Sequence, residues 1–122
     1  MDKKCLVVDD VEVSSYVISE IVRDLGFTVF EASDEKSTLN LIKKERFDVI
    51  ILDWHLRKTQ SLPLISEVRE IPTALHTPII LCTGVELDKN LSDIKDSGAQ
   101  GFLKKPTSPE NVSNEFKRLS LL

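Results

Sequence analysis

The sequence predicts an α/β fold, a doubly wound parallel sheet of five strands, on three observations. Five short apolar runs are spread along the chain, each bounded by polar or turn residues. Amphipathic stretches with helical spacing separate them, so the order reads βα five times over. The run Val49 to Leu52 (VIIL) carries no polar alternation, which is the habit of a strand buried on both faces of a parallel sheet.

The elements follow in order. Lys4 to Val8 (KCLVV) is the first strand. From Val13 a helix carries Val17, Ile18, Ile21, Val22 and Leu25 at three-or-four spacing, and Gly26 supplies its C-terminal stop. Thr28 to Glu31 (TVFE) is the second strand, after which Ser33 or Asp34 caps a helix containing Leu39, Leu41 and Ile42. The basic run Ile42 to Arg46 (IKKER) ends that helix as a solvated turn that complements its dipole. Val49 to Leu52 is the third strand and Leu62 to Ile71 the third helix. Pro78 to Cys82 (PIILC) is the fourth strand, with Leu91 and Ile94 lining a fourth helix before Gly98. Gly101 to Leu103 (GFL) is the fifth, and Pro109 after Ser108 opens a fifth helix with Val112, Phe116 and Leu119 facing inward.

The bulk numbers set bounds on this reading. A chain of 122 residues suits one domain, 1–122, because compact domains cluster at about 100–150 residues. A formal net charge of -4 gives no basic face, so direct nucleic-acid binding is not expected. No apolar run approaches the ~20 residues of a membrane span, and MDKKCLVVDD lacks the apolar stretch of a signal peptide. A cytoplasmic protein without membrane contact is expected. Cys5 and Cys82 each lie in an apolar run and are read as core residues rather than a disulfide pair. His76 is read as a surface loop residue and Trp54 as a loop residue covering the edge of the site.

In doubly wound sheets ligands bind beyond the carboxyl ends of the strands, near the point where strand order reverses. Asp9 and Asp10 follow the first strand, Asp53 the third, Thr83 the fourth, and Lys104 and Lys105 the fifth, all on that edge. Three carboxylates brought together repel one another unless a cation sits among them. Hard oxygen donors with few residues per site suit Mg²⁺, which keeps several waters and shares its sphere with phosphate. A lysine at the same place pairs with phosphoryl oxygens, a threonine hydroxyl bonds one, and an aspartate in line with a metal is a competent nucleophile. Of the adjacent lysines only one can point inward, so Lys104 is read as solvated.

LVVDD (Leu6 to Asp10), VIILD (Val49 to Asp53), PIILCTG (Pro78 to Gly84) and GAQGFLKKP (Gly98 to Pro106) occur in this order over nearly the whole chain. With them the sequence resembles the receiver domains of two-component response regulators, of the single-domain chemotaxis-regulator type. The resemblance implies a flavodoxin-like fold with strand order 2-1-3-4-5. It implies Asp53 as phosphoacceptor, Asp10 as a direct Mg²⁺ ligand, Asp9 as the holder of a metal-bound water, and the backbone carbonyl of His55 as a further metal ligand. Thr83 would be the switch hydroxyl, Lys105 the phosphoryl-pairing lysine with a cis peptide to Pro106, and Phe102 the aromatic that changes rotamer with Thr83. The implied partners are a histidine kinase or histidine phosphotransfer protein, and an output that is either another protein or an attached domain. No turnover beyond its own phosphorylation and dephosphorylation is implied.

The pattern departs from the family at Arg57 and Ser61, where a proline and a glycine are usual, and at Gly84, which is commonly alanine. His55 and Val85 hold two positions that tune acyl-phosphate lifetime in the family; Val85 cannot orient water. Two other readings stand beside the phosphoacceptor. One is a receiver-like interaction module that works without phosphorylation, which the departures allow and the complete acid cluster opposes. The other is an aspartyl-nucleophile phosphohydrolase, opposed by the acceptor following the third strand and by a chain too short for a cap domain.

Overall fold

The computed structural model describes residues 2–54, 62–84 and 98–122. Five strands, β1 (Lys4–Val8), β2 (Thr28–Ala32), β3 (Val49–Asp53), β4 (Ile79–Thr83) and β5 (Gly101–Lys104), form one parallel sheet in the order β2-β1-β3-β4-β5. Strands β2, β3 and β5 run one residue further than their apolar runs, and β4 is displaced by one. Asp53 and Thr83 are therefore the last residues of their strands and share the rigidity of the ladder, with Asp53 opposite Cys82.

The described helices are α1 (Glu12–Asp24), α2 (Glu35–Lys44), α3 (Leu62–Arg69) and α4 (Pro109–Arg118). The helical pattern around Leu91 and Ile94 lies outside the described residues. Ile18, Ile21 and Val22 of α1 and Val112 and Phe116 of α4 pack on the sheet face carrying Cys5, Val7, Val49, Ile51, Ile80 and Cys82. Ile42 of α2 and Leu64, Ile65 and Val68 of α3 cover the opposite face with Leu6, Val8, Ile50, Leu52, Ile79 and Leu81. This two-sided cover is why the central strands read as unbroken apolar runs. Among the described residues no helix is long and apolar enough to cross a membrane.

Local signals explain the helix ends. Asp34, not Ser33, caps α2, its Oδ1 accepting from the Ser37 N–H at 2.7 Å. Ser108 caps α4 with Pro109 in the first turn. Gly26 follows α1 at φ 95°, a backbone conformation that favours glycine. The third helix stops at Arg69, and a separate 3-10 turn covers Pro72–Ala74, because a proline cannot donate to the preceding helical turn.

The inward face of α1 differs from the expected one. Val13 and Val17 point to solvent, with Val13 74% exposed, whereas Ser15 and Ser19 are buried. Both serine hydroxyls donate to Glu31 Oε1 on β2, at 2.8 and 3.1 Å. Polar bonds thus replace apolar packing where α1 crosses the edge strand, which hydropathy spacing alone does not register.

Candidate functional site

The strand order reverses at β1: the chain leaves β1 through α1 on one face to reach β2, and leaves β2 through α2 on the other face to reach β3. At the carboxyl ends of β1 and β3 stand Asp9, Asp10 and Asp53, with one carboxylate oxygen from each lying within 4.8 Å of the others. Asp9 and Asp53 are buried and Asp10 is exposed at the mouth. The cleft beside them runs along α1 and is lined also by Glu12, Tyr16 and Glu31.

Asp9 is held from three directions. Its Oδ1 accepts the Val11 N–H at 2.9 Å, and its Oδ2 accepts the Ser14 hydroxyl at 2.6 Å and Lys105 Nζ at 2.8 Å. The same ammonium stands 3.6 Å from Asp53 Oδ2. Partial burial pulls the Lys105 pKa down, but the hydrogen bond to Asp9 and the charges of Asp53 and Asp9 outweigh it, and the net direction is up. Lys105 is therefore a fixed cation, one ammonium among three carboxylates. The negative excess and the all-oxygen donor set fit a hard divalent ion such as Mg²⁺.

Thr83 ends β4 almost fully buried, and its carbonyl accepts the Lys105 N–H at 2.8 Å. This bond ties the end of β4 to the turn that delivers the lysine. The Lys105 to Pro106 peptide is cis. Lys104 is exposed, as its alternation with Lys105 requires. Phe102 is half-buried against the core face formed with α2 and α3. Among the described residues a Cβ on Gly84 would meet only Lys105 Cβ, at 4.0 Å.

His55, Arg57, Ser61 and Val85 lie outside the described residues. Trp54 corrects an expectation: it does not cover the edge of the site but has its side chain fully buried in the core beside Leu64 and Ile65, while its backbone N–H donates to the Cys82 carbonyl. A residue one step beyond the end of β3 still follows the strand's alternation and points beneath α3. Cys5 and Cys82 are free and buried. Burial pushes the Cys82 thiol up to about 12, the Lys105 charge opposing and the Asp53 and Asp9 charges adding to it, so it is a core residue and not a nucleophile. His76 is exposed. Sequence reasoning did not single out Ser14, whose role rests on its place in the first turn of α1 below Asp9.

The sequence matches the family model described as response regulator receiver domain across residues 5–117. It is 29% identical to chemotaxis protein CheY-3 of Vibrio cholerae over 121 residues, 95% of this chain and 93% of that protein. The crystal structure of Vibrio cholerae chemotaxis protein CheY4 superimposes with a TM-score of 0.89 at 30% identity, covering 97% of this chain and 98% of the other. The receiver domain of a sensor histidine kinase from Pseudomonas aeruginosa, solved with a magnesium ion coordinated in its active-site cleft, shares the fold with a TM-score of 0.86 at 24% identity over 97% of each chain. With the motifs, the strand order and the acid cluster on the page, the match settles the family: the chain belongs to the response regulator receiver domains of two-component signalling.

Proposed function

We propose that the chain is a single receiver domain, 1–122, that accepts a phosphoryl group on Asp53 from a histidine kinase or phosphotransfer protein and thereby changes its affinity for an output protein or attached domain. The observation that carries this reading is the meeting of Asp9, Asp10 and Asp53 within 4.8 Å, with the Lys105 ammonium touching Asp9 and standing beside Asp53. A carboxylate oxygen of Asp53 attacks phosphorus, the bond from phosphorus to the donor nitrogen breaks, and imidazole leaves with that electron pair as an acyl phosphate forms. Mg²⁺, when bound, supplies charge neutralisation for the incoming phosphoryl oxygens.

Asp9 has its oxygens engaged by Val11, Ser14 and Lys105, which suits orienting a metal-bound water. Asp10 and Asp53 as direct ligands and the His55 carbonyl complete the set carried over from the family. Lys105 is placed to follow the new negative charge, leaving Asp9 to pair with a phosphoryl oxygen. Thr83 supplies the hydroxyl that joins it, and Phe102 on the neighbouring strand follows.

Intact mass after incubation with Mg²⁺ and a small phosphoryl donor tests the reading. The expected result is one added phosphoryl group in the wild type and none in Asp53→Asn. An unmodified wild type that still captures its partner would instead establish the phosphorylation-independent module. Turnover of a generic phosphate ester lost in Asp53→Ala would establish the phosphohydrolase. Lys105→Ala is expected to accept the phosphoryl group while partner binding no longer responds to it; an unchanged response contradicts the role given to Lys105.

A further inference from the structure

Among the described residues β5 ends the sheet, paired with β4 alone. Such a strand presents backbone donors and acceptors to any extended chain that approaches. Here two of these groups are already taken. The Phe102 N–H donates to Glu115 Oε2 at 2.7 Å and the Gln100 carbonyl accepts from Arg118 at 2.6 Å, both partners on α4. Glu115 and Arg118 are themselves paired, Arg118 Nε to Glu115 Oε1 at 2.7 Å and a second guanidinium nitrogen to Oε2 at 3.1 Å. A carboxylate acceptor and a guanidinium donor, locked in a fork, therefore stand where a neighbouring strand would offer a carbonyl and an N–H.

The residue between the two capped groups is Gly101. A Cβ there would lie 2.9 Å from Glu115 Oε2, 3.1 Å from Ile80 Cγ1 and 3.2 Å from Leu119 Cδ1. The carboxylate thus needs this glycine to reach the strand. Burial alone would raise the Glu115 pKa, but the bonds from Arg118 and the Phe102 N–H hold it below its usual value, so the anion persists at neutral pH.

We propose that Glu115 and Arg118 form a built-in surrogate strand that closes the open edge of β5 against pairing with β5 of a second copy of this chain. The inference is independent of the phosphoryl chemistry and adds a guard on self-association that sits on the same strand as Phe102.

The test compares the wild type with Glu115→Ala and Arg118→Ala, reading Phe102 amide exchange by NMR and molar mass by light scattering, each in dilute and concentrated solution. In dilute solution Glu115→Ala should exchange the Phe102 amide about tenfold faster or more, since it removes that amide's hydrogen bond, whereas Arg118→Ala frees the Gln100 carbonyl and leaves that bond in place. On concentration the mass of both variants should rise towards a dimer, and in Glu115→Ala the Phe102 amide should become protected again. The wild-type Phe102 amide should be indifferent to concentration. Arg118→Ala, at an exposed position, decides the matter if Glu115→Ala does not fold. Variants whose mass stays constant, or that associate while Phe102 stays unprotected, overturn the proposal.

Discussion

The two ends of the same five strands handle charge in opposite ways. At the amino ends, apart from the Lys4–Glu45 pair at 2.7 Å, charged side chains are spent on backbone. The Asp48 carboxylate accepts the Lys4 N–H at 2.8 Å, Lys3 Nζ donates to the Leu121 carbonyl at 2.7 Å, and Arg69 donates to the carbonyls of Ala74, Thr77 and Gly98 and to Gln100 Oε1. Gln100 Oε1 in turn accepts the Ile79 N–H. At the carboxyl ends, charged groups face one another, three acids around one ammonium. The first arrangement lowers the free energy of the folded chain, and the second holds like charges together against their repulsion, which a protein retains where a ligand will relieve it.

Arg69 is the strongest way to break this contrast. Arg69→Ala removes four bonds to three chain segments and should destabilise the domain by about 2–3 kcal/mol in urea unfolding, on the scale of buried acceptors left without a donor; a loss no larger than that of a solvent-exposed lysine would erase the distinction. Asp34 sharpens it from the other side, since it is a carboxylate beyond the carboxyl end of β2 that nevertheless caps backbone. Asp34→Ala should cost about 1 kcal/mol, with Mg²⁺ titration unchanged.

Asp10→Asn carries the opposite sign. Without Mg²⁺ it should stabilise the fold by about 0.5–1 kcal/mol, the size of repulsion between partly solvated charges a few ångström apart. Added Mg²⁺ should then stabilise the wild type more than the variant, because binding to the folded state alone adds to stability. The smallest expected effect belongs to Glu115. Its folded pKa is depressed, so its contribution is fully present above the unfolded value of about 4.5 and is lost as pH falls below it. Replacing it by Gln should flatten that part of the acid unfolding curve.

Much of this architecture was legible in the sequence for physical reasons. Strands covered on both faces must be apolar throughout, and the polar residue that ends each run then marks the ligand edge. Asp9, Asp10, Asp53, Thr83 and the pair Lys104 and Lys105 stand on that edge, and the family motif then selects Lys105 of the pair. What periodicity could not reveal were contacts chosen by tertiary geometry. Ser15 and Ser19 are polar and buried because Glu31 reaches them from another strand, and Arg69 looks like any helix-end cation until four acceptors from later segments surround it. Trp54 misled for a related reason: adjacency in sequence to Asp53 suggested adjacency to the site, but strand alternation sends neighbouring side chains to opposite faces.

That placement gives the protein a built-in optical reporter of a particular kind. Trp54 is its single indole, wholly buried and joined by one peptide bond to Asp53. Its emission should sit at the blue end for tryptophan and resist quenching by iodide, since neither water nor an anion reaches the ring. Any spectral change on loading the acid cluster would then register the interior repacking around the end of β3, making the core itself the witness to events at the surface.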